Sequence, residues 1–194
     1  MATAEISRPL ISLALPQDRA SRRLMQVAAV LAGTALLALS AKITVAIWPV
    51  PMTLQVLAVL LIGATYGRDL GFATLAAYLI QGAFGLPVFA TGGGLVHLAG
   101  PTGGYLVGFV VAAAIVGHAA DRGLDREPLR LFLAMMLAEI AILGFGVLWL
   151  AWHFGIHKAL GWGVGPFIVT DLVKLALATA IVPAAWSLVA RLRR

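Results

Sequence analysis

The sequence predicts an all-α membrane protein, a six-transmembrane-helix bundle with apolar re-entrant or lid-like outer loops. Three observations carry this reading. Of 194 residues, 61% are apolar and only 11% charged, and the mean hydropathy is +0.99, far from the composition of an ordinary soluble domain. The apolar residues gather into six runs, each near the roughly 20 residues a spanning helix needs. The basic residues lie between those runs, so 14 Lys+Arg against 8 Asp+Glu reads as membrane topology and not as nucleic-acid binding.

Residues 1–23 form a charged leading segment, followed by a first span from Leu24 to Ser40. Leu39-Ser40-Ala41 resembles a signal-peptidase site, but a leader of this length before a 17-residue apolar run suits an uncleaved anchor better. Ala28 and Ala32, and Ala29 and Gly33, have small-xxx-small spacing that lets another helix approach closely. Such spacing usually means packing within the chain; in so small a bundle it could also dock a second membrane subunit.

The second span, Met52 to Tyr66, and the third, Leu70 to Gly85, are short and separated only by Gly67, Arg68 and Asp69, which predicts a tight helical hairpin. A fourth runs from Gly103 to Ala120, a fifth from Leu131 to Trp152, and a sixth from Phe167 to Ala190, with residues 191–194 as a tail. Gly63 and Gly67, and Gly104 and Gly108, repeat the small-residue spacing. Six spans put both termini on one side. All eleven Arg fall on that side and only Lys42 and Lys158 on the other, so both termini are expected in the cytoplasm.

Two outer loops are too apolar to be plain connectors. Residues 41–51 read AKITVAIWPVP, and residues 86–102 read LPVFATGGGLVHLAGPT. Pro49 and Pro51 exclude regular helix, while Gly92, Gly93 and Gly94 permit main chain to approach a ligand closely. Irregular backbone at membrane depth is tolerated only against protein or a water-filled cavity, so these segments read as lids or as plugs. Trp48 is either a membrane-interface anchor or a ring laid over a compact ligand. Gln55, Gln81 and Tyr78 bring donors and acceptors near the outer ends of the second and third spans, as interhelical hydrogen bonds or as ligand contacts.

The sharpest signal lies in the last span. Asp171 and Lys174 sit three apart on one helix face, inside an apolar stretch where a charged residue costs about 2.5–3.5 kcal/mol. Entering from outside near Phe167, the helix places them about 6 Å and 11 Å deep. The pair satisfies itself when alone and can offer an acceptor and a donor set to a polar ligand. The competing reading is an ion pair that only ties helices together. Glu139, near mid-depth on the fifth span, is a third ionisable residue; pairing with Lys174, remaining protonated and carrying a proton are all open for it.

Other chemistries lack their residues. The chain has no Cys, hence no disulfide framework, thiol nucleophile or thiolate metal site. His153 and His157 have i, i+4 spacing, but HFGIH lacks the Glu of a zincin. No Walker A run, Gly-x-Ser-x-Gly or nucleotide fingerprint occurs, so ATP would have to be used by another chain and no cofactor is expected in this one. Two rivals to a passive binding site therefore stay in view, a self-sufficient proton-coupled carrier built on Glu139 or Asp171 and an intramembrane enzyme built on Glu139 and the histidines.

Three segments, WPVPMTLQ at residues 48–55, GLPVFATGGGLVHLAGPTGGYLVGF at 85–109 and PFIVTDLVK at 166–174, together resemble BioY, the substrate-binding S component of the energy-coupling-factor biotin transporters. The resemblance covers about residues 25–190. It implies a six-helix S component in the bacterial cytoplasmic membrane that binds biotin from outside and works with a membrane coupling subunit and cytoplasmic ABC-type ATPases. It further implies that Asp171 and Lys174 contact the ligand's ring and that the face around Ala28 and Ala32 meets the coupling subunit. An S component of the same fold for another vitamin is the remaining alternative.

Overall fold

The computed structural model describes residues 9–192. Arg8, Arg193 and Arg194 of the charge tally, and the outermost parts of the two terminal segments, lie outside the described residues. A short 3-10 turn, Leu10–Leu13, leads into eight helices: α1 Arg19–Lys42, α2 Gln55–Tyr66, α3 Arg68–Ala83, α4 Leu95–Ala99, α5 Gly103–Asp121, α6 Pro128–Phe154, α7 Ile156–Gly163 and α8 Ile168–Leu192. Four of them, α1, α5, α6 and α8, are long and apolar enough to cross a membrane. At 12 and 16 residues, α2 and α3 are shorter.

α1 begins where Asp18 accepts a hydrogen bond from the Ser21 amide at 2.8 Å, satisfying one of the N–H groups every helix start leaves unpaired. The first two short helices meet at Gly67, whose φ of 79° lies in the left-handed region that glycine enters without steric cost. Its lack of a side chain also admits Asp121 at the end of α5, which accepts from the Arg68 amide at 3.0 Å. A carboxylate thus caps the α3 N-terminus from a different helix, where the helix dipole favours negative charge.

The predicted second span begins three residues late. Met52–Thr53 is not helical but pairs as a two-residue strand, β2, with β1, Thr44–Val45. Pro51 removes a backbone donor just ahead, and the Thr53 hydroxyl accepts from the Gln55 amide at 3.2 Å, which starts α2 there. Two further short helices appear where loops were expected. α4 lies inside the glycine-rich segment, and α7 turns the chain between α6 and α8.

Glycines set how closely the long helices approach. A side chain at Gly108 would strike the Ile142 backbone of α6, and one at Gly63 would strike Ala113 and Val116 of α5. The most enclosed long helix, α5, therefore packs directly on α2 and α6. Leu60, Leu75, Val116, Leu131, Met135, Ile142 and Leu175 fill the interior. The outward faces are apolar as well: Val27, Leu31 and Leu39 on α1, Leu133, Leu137 and Ile140 on α6, and Val169 and Val173 on α8 are exposed. Helices apolar on both faces are what a lipid environment selects.

The two ends of the bundle differ. At the end that carries both described termini, the Trp186 indole of α8 donates to Asp125 in the α5–α6 connection at 2.6 Å, and the Arg126 guanidinium lies 4.1 Å from the Trp186 ring centre. The opposite end holds the hairpin, α4, α7 and the start of α8.

Candidate functional site

A cavity of about 50 Å³ opens at that opposite end, and four parts of the chain build it. The β-hairpin and the start of α2 supply Val50, Pro51, Thr53, Gln55 and Val56. The glycine-rich segment supplies Phe89, Ala90 and Thr91, with Thr102 at its end. From α5 come Tyr105, Leu106 and Phe109, from α6 Ile142 and Leu143, and from the entry of α8 Phe167, Asp171 and Lys174. Asp171 and Lys174 are the charged members of this wall; everything else is aliphatic, aromatic, hydroxyl or amide.

Their geometry follows from helix pitch. The Lys174 Nζ lies 2.5 Å from Asp171 Oδ1, both side chains nearly enclosed. That uses one of three ammonium donors and one of two carboxylate oxygens. The rest of each group is left for whatever occupies the cavity. Asp171 is further fixed by its amide, which donates to the Phe167 carbonyl at 2.8 Å.

Of the other residues singled out in the sequence, Gln55 reaches the cavity wall. Tyr78, fully buried, stands behind it: the Gln55 amide nitrogen donates to the Tyr78 hydroxyl at 2.8 Å, and that hydroxyl donates to the Val88 carbonyl at 2.8 Å. Tyr78 thus orients Gln55 and anchors the glycine-rich segment instead of lining the cavity. Gln81 points away, donating to Thr34 of α1 at 3.3 Å. Trp48 is 69% exposed and sits on the rim against Trp162 and Phe154, with ring centres 5.0 and 5.8 Å apart. Gly92 and Gly93 shape the segment without facing the cavity. The Gly92 amide and carbonyl pair with those of Phe89 at a φ of 145°, and a side chain at Gly93 would enter the Leu86 carbonyl.

The same segment is tied down twice more, by Lys42, which donates to the Phe89 carbonyl at 2.7 Å, and by a His97 ring nitrogen 3.1 Å from the Thr91 carbonyl. Both basic groups therefore serve the wall from behind. His153 has its two ring nitrogens 2.9 and 3.1 Å from the Trp149 and Ala99 carbonyls. Among the described residues no three His, Cys, Asp or Glu come together as a metal site would require.

Sequence reasoning did not single out Tyr105, Phe109, Phe89 or Phe167, which give the cavity most of its shape. Tyr105 is wedged against Gly146 of α6 and Gly163 of α7, and its hydroxyl donates to the Gly163 carbonyl at 2.8 Å. A phenol set among small residues in GGYLVGF was the available signal. On α1 the two small-residue pairs separate. Ala29 and Gly33 are buried, with Tyr66 donating to the Ala29 carbonyl at 2.9 Å and Thr74 and Tyr66 covering Gly33, whereas Ala28 and Ala32 lie on the exposed face.

Residues 13–191 match the model of the BioY family. A protein of Pyrococcus horikoshii named as a probable biotin transporter BioY is 45% identical over 148 residues, covering 76% of this chain and 87% of that protein. The biotin transporter BioY of Thermotoga maritima is 40% identical over 151 residues, covering 76% and 88%. In fold, the chain is similar to a crystal structure of the S-component for biotin from an ECF-type ABC transporter, with a TM-score of 0.77 and 22% identity over 88% of this chain and 95% of that one.

Proposed function

Because this chain belongs to the BioY family, we propose that it is the substrate-binding S component of a biotin uptake system, which captures biotin outside and delivers it with an ATP-driven energy-coupling module. The observation that carries this reading is a single acid–base pair, Asp171 and Lys174, in the wall of an otherwise uncharged cavity. Biotin's fused ureido ring has two N–H donors and one carbonyl oxygen. A carboxylate accepts from the first and an ammonium donates to the second. Gln55 adds an amide at the same end, while Phe89, Tyr105, Phe109 and Phe167 suit the thioether ring and the hydrocarbon tail.

On this reading α2 and α3, though short, complete six crossings with the four longer helices, and residues 24–190 form one membrane domain between cytoplasmic segments 1–23 and 191–194. The Arg distribution supports both termini inside a bacterial cytoplasmic membrane, which turns the cavity outward. Ala28 and Ala32, small and exposed on α1, are the surface offered to the membrane coupling subunit, while Ala29 and Gly33 are occupied within the chain. Cytoplasmic ATPases would use the ATP; this chain needs no cofactor of its own.

Isothermal titration of the purified protein with biotin tests the assignment. The parent should bind, and Asp171→Asn combined with Lys174→Ala should weaken binding at least about a hundredfold, since two charge-assisted hydrogen bonds of about 1.5–3 kcal/mol each are lost. Unchanged affinity in the double variant would remove the pair from the site.

A further inference from the structure

The cavity is graded from a closed end to an open one. Asp171, Lys174, Phe109 and Ile142 in its wall are buried, whereas Thr102 is half-buried and Thr91 is exposed. Both charges therefore sit at the closed end, where Lys174 is held by Asp171, and the open end is hydroxyl-bearing and uncharged. The remaining basic groups on this side of the bundle are turned to other tasks or to solvent. Lys42 donates to the Phe89 carbonyl at 2.7 Å, and the Lys158 ammonium lies 5.6 Å from the Trp162 ring centre. His97 and His153 set ring nitrogens against main-chain carbonyls, and His157 is exposed on α7. Among the described residues, none of these five lines the cavity.

A ligand with a polar ring and an acid tail meets these two ends unequally. The ring finds a carboxylate and an ammonium in an enclosed wall, where hydrogen bonds are strongest. The tail finds no cation of its own. Its carboxylate is unfavourable at the closed end, because burial penalises the charge and Asp171 repels it. The acid group is thus left at the mouth, in water and on the side of Thr91 and Thr102. A hydroxyl both donates and accepts, so it serves a carboxylate, an ester carbonyl or an amide alike, whereas an ammonium favours the anion.

Resting on the biotin reading, we infer that the site selects its ligand by the ring and is indifferent to charge on the tail. Its substrate class then extends beyond the free acid to neutral biotin derivatives, the esters and amides formed at the tail carboxyl. The ureido group is what such a ligand must keep; the carboxylate is not.

Isothermal titration of the purified protein with biotin, biotin methyl ester and biotinamide tests the inference. All three should bind within about threefold of one another. If a cation read the acid, loss of that charge-assisted bond would weaken both neutral ligands at least about tenfold; such a gap would overturn the inference and leave the biotin reading in place. No binding of any of the three would overturn both. A fourth ligand, 2-iminobiotin, keeps the tail but replaces the ring carbonyl with a protonated imine. It should bind at least about tenfold more weakly, since Lys174 then faces a like charge, and binding equal to that of biotin would refute selection by the ring. The same titrations in Lys42→Met, Lys158→Met and His97→Gln should leave the ratio of biotin to biotinamide affinity unchanged. Lys42→Met frees the Phe89 carbonyl and should weaken both ligands alike, so the ratio is the readout. A ratio that shifts toward the amide in any of the three would identify that side chain as the partner of the carboxylate and end the inference.

Discussion

Phe89 shows how much of the site's wall rests on packing behind it. Its ring lies directly on the Gly82 backbone of α3 and meets Tyr78 edge-on at 5.5 Å, while its other face lines the cavity. A methyl group at Gly82 would occupy the space of that ring. Gly82→Ala should therefore displace Phe89 into the cavity, at an overpacking cost of about 1–3 kcal/mol. The expected result is a melting temperature lower by about 2–6 °C and biotin binding weakened several-fold; retention of both values would mean that the ring can step aside freely. The contrast with Asp171 explains what the sequence disclosed. An ionisable group in a greasy helix is expensive, so Asp171 and Lys174 stood out as candidates from their place in the sequence, and Gln55 only as a polar side chain that could serve a ligand or a neighbouring helix. Phe89, Tyr105 and Phe167 were not, because an aromatic residue in a membrane chain costs nothing and needs no function to be there. Tyr78 and Gln81 were noticed for their polarity, yet polarity does not disclose direction, and both spend it on neighbouring elements.

Among the elements, the long helices were visible through length and hydropathy, and their ends moved by only a few residues. The hairpin and α7 were hidden for physical reasons. Two-residue strands are too short to display alternation, and α7, amphipathic but only eight residues long, is far shorter than a run read as a span. The clamp between the α5–α6 connection and α8 was hidden too, since Asp125 and Trp186 are sixty-one positions apart. Burial raises the Asp125 carboxyl above the ordinary aspartate range, against the opposing influence of the Trp186 hydrogen bond and Arg126. A carboxyl that holds its proton more tightly when folded stabilises the fold at low pH, and that contribution is lost as pH rises through the raised value. Asp125→Asn keeps an oxygen for the Trp186 indole and has no proton to lose. As pH rises from about 4, the ordinary aspartate value, its melting temperature should decline less than that of the parent; parallel curves would show that the clamp does not titrate.

For the whole molecule, apolar residues on the inner and outer faces of the same helices place the burden of specificity on the few polar groups at one end. A cavity of about 50 Å³ is far below the roughly 300–1,000 Å³ common for small-molecule sites, so a vitamin can enter only if the hairpin and the glycine-rich segment yield. The rim cluster makes that movement visible. Trp48 belongs to the hairpin loop, whereas Phe154 ends α6 and Trp162 lies on α7, and indole emission shifts colour and intensity when its neighbours change. The molecule therefore carries its own optical gauge. In stopped-flow mixing with biotin, the tryptophan signal should change at a rate that levels off as biotin is raised, the mark of a conformational step that limits the exchange. The change should shrink in Trp48→Phe and vanish when Trp162 is replaced by Phe as well. A rate that climbs in proportion to biotin without limit would describe a doorway that is always ajar.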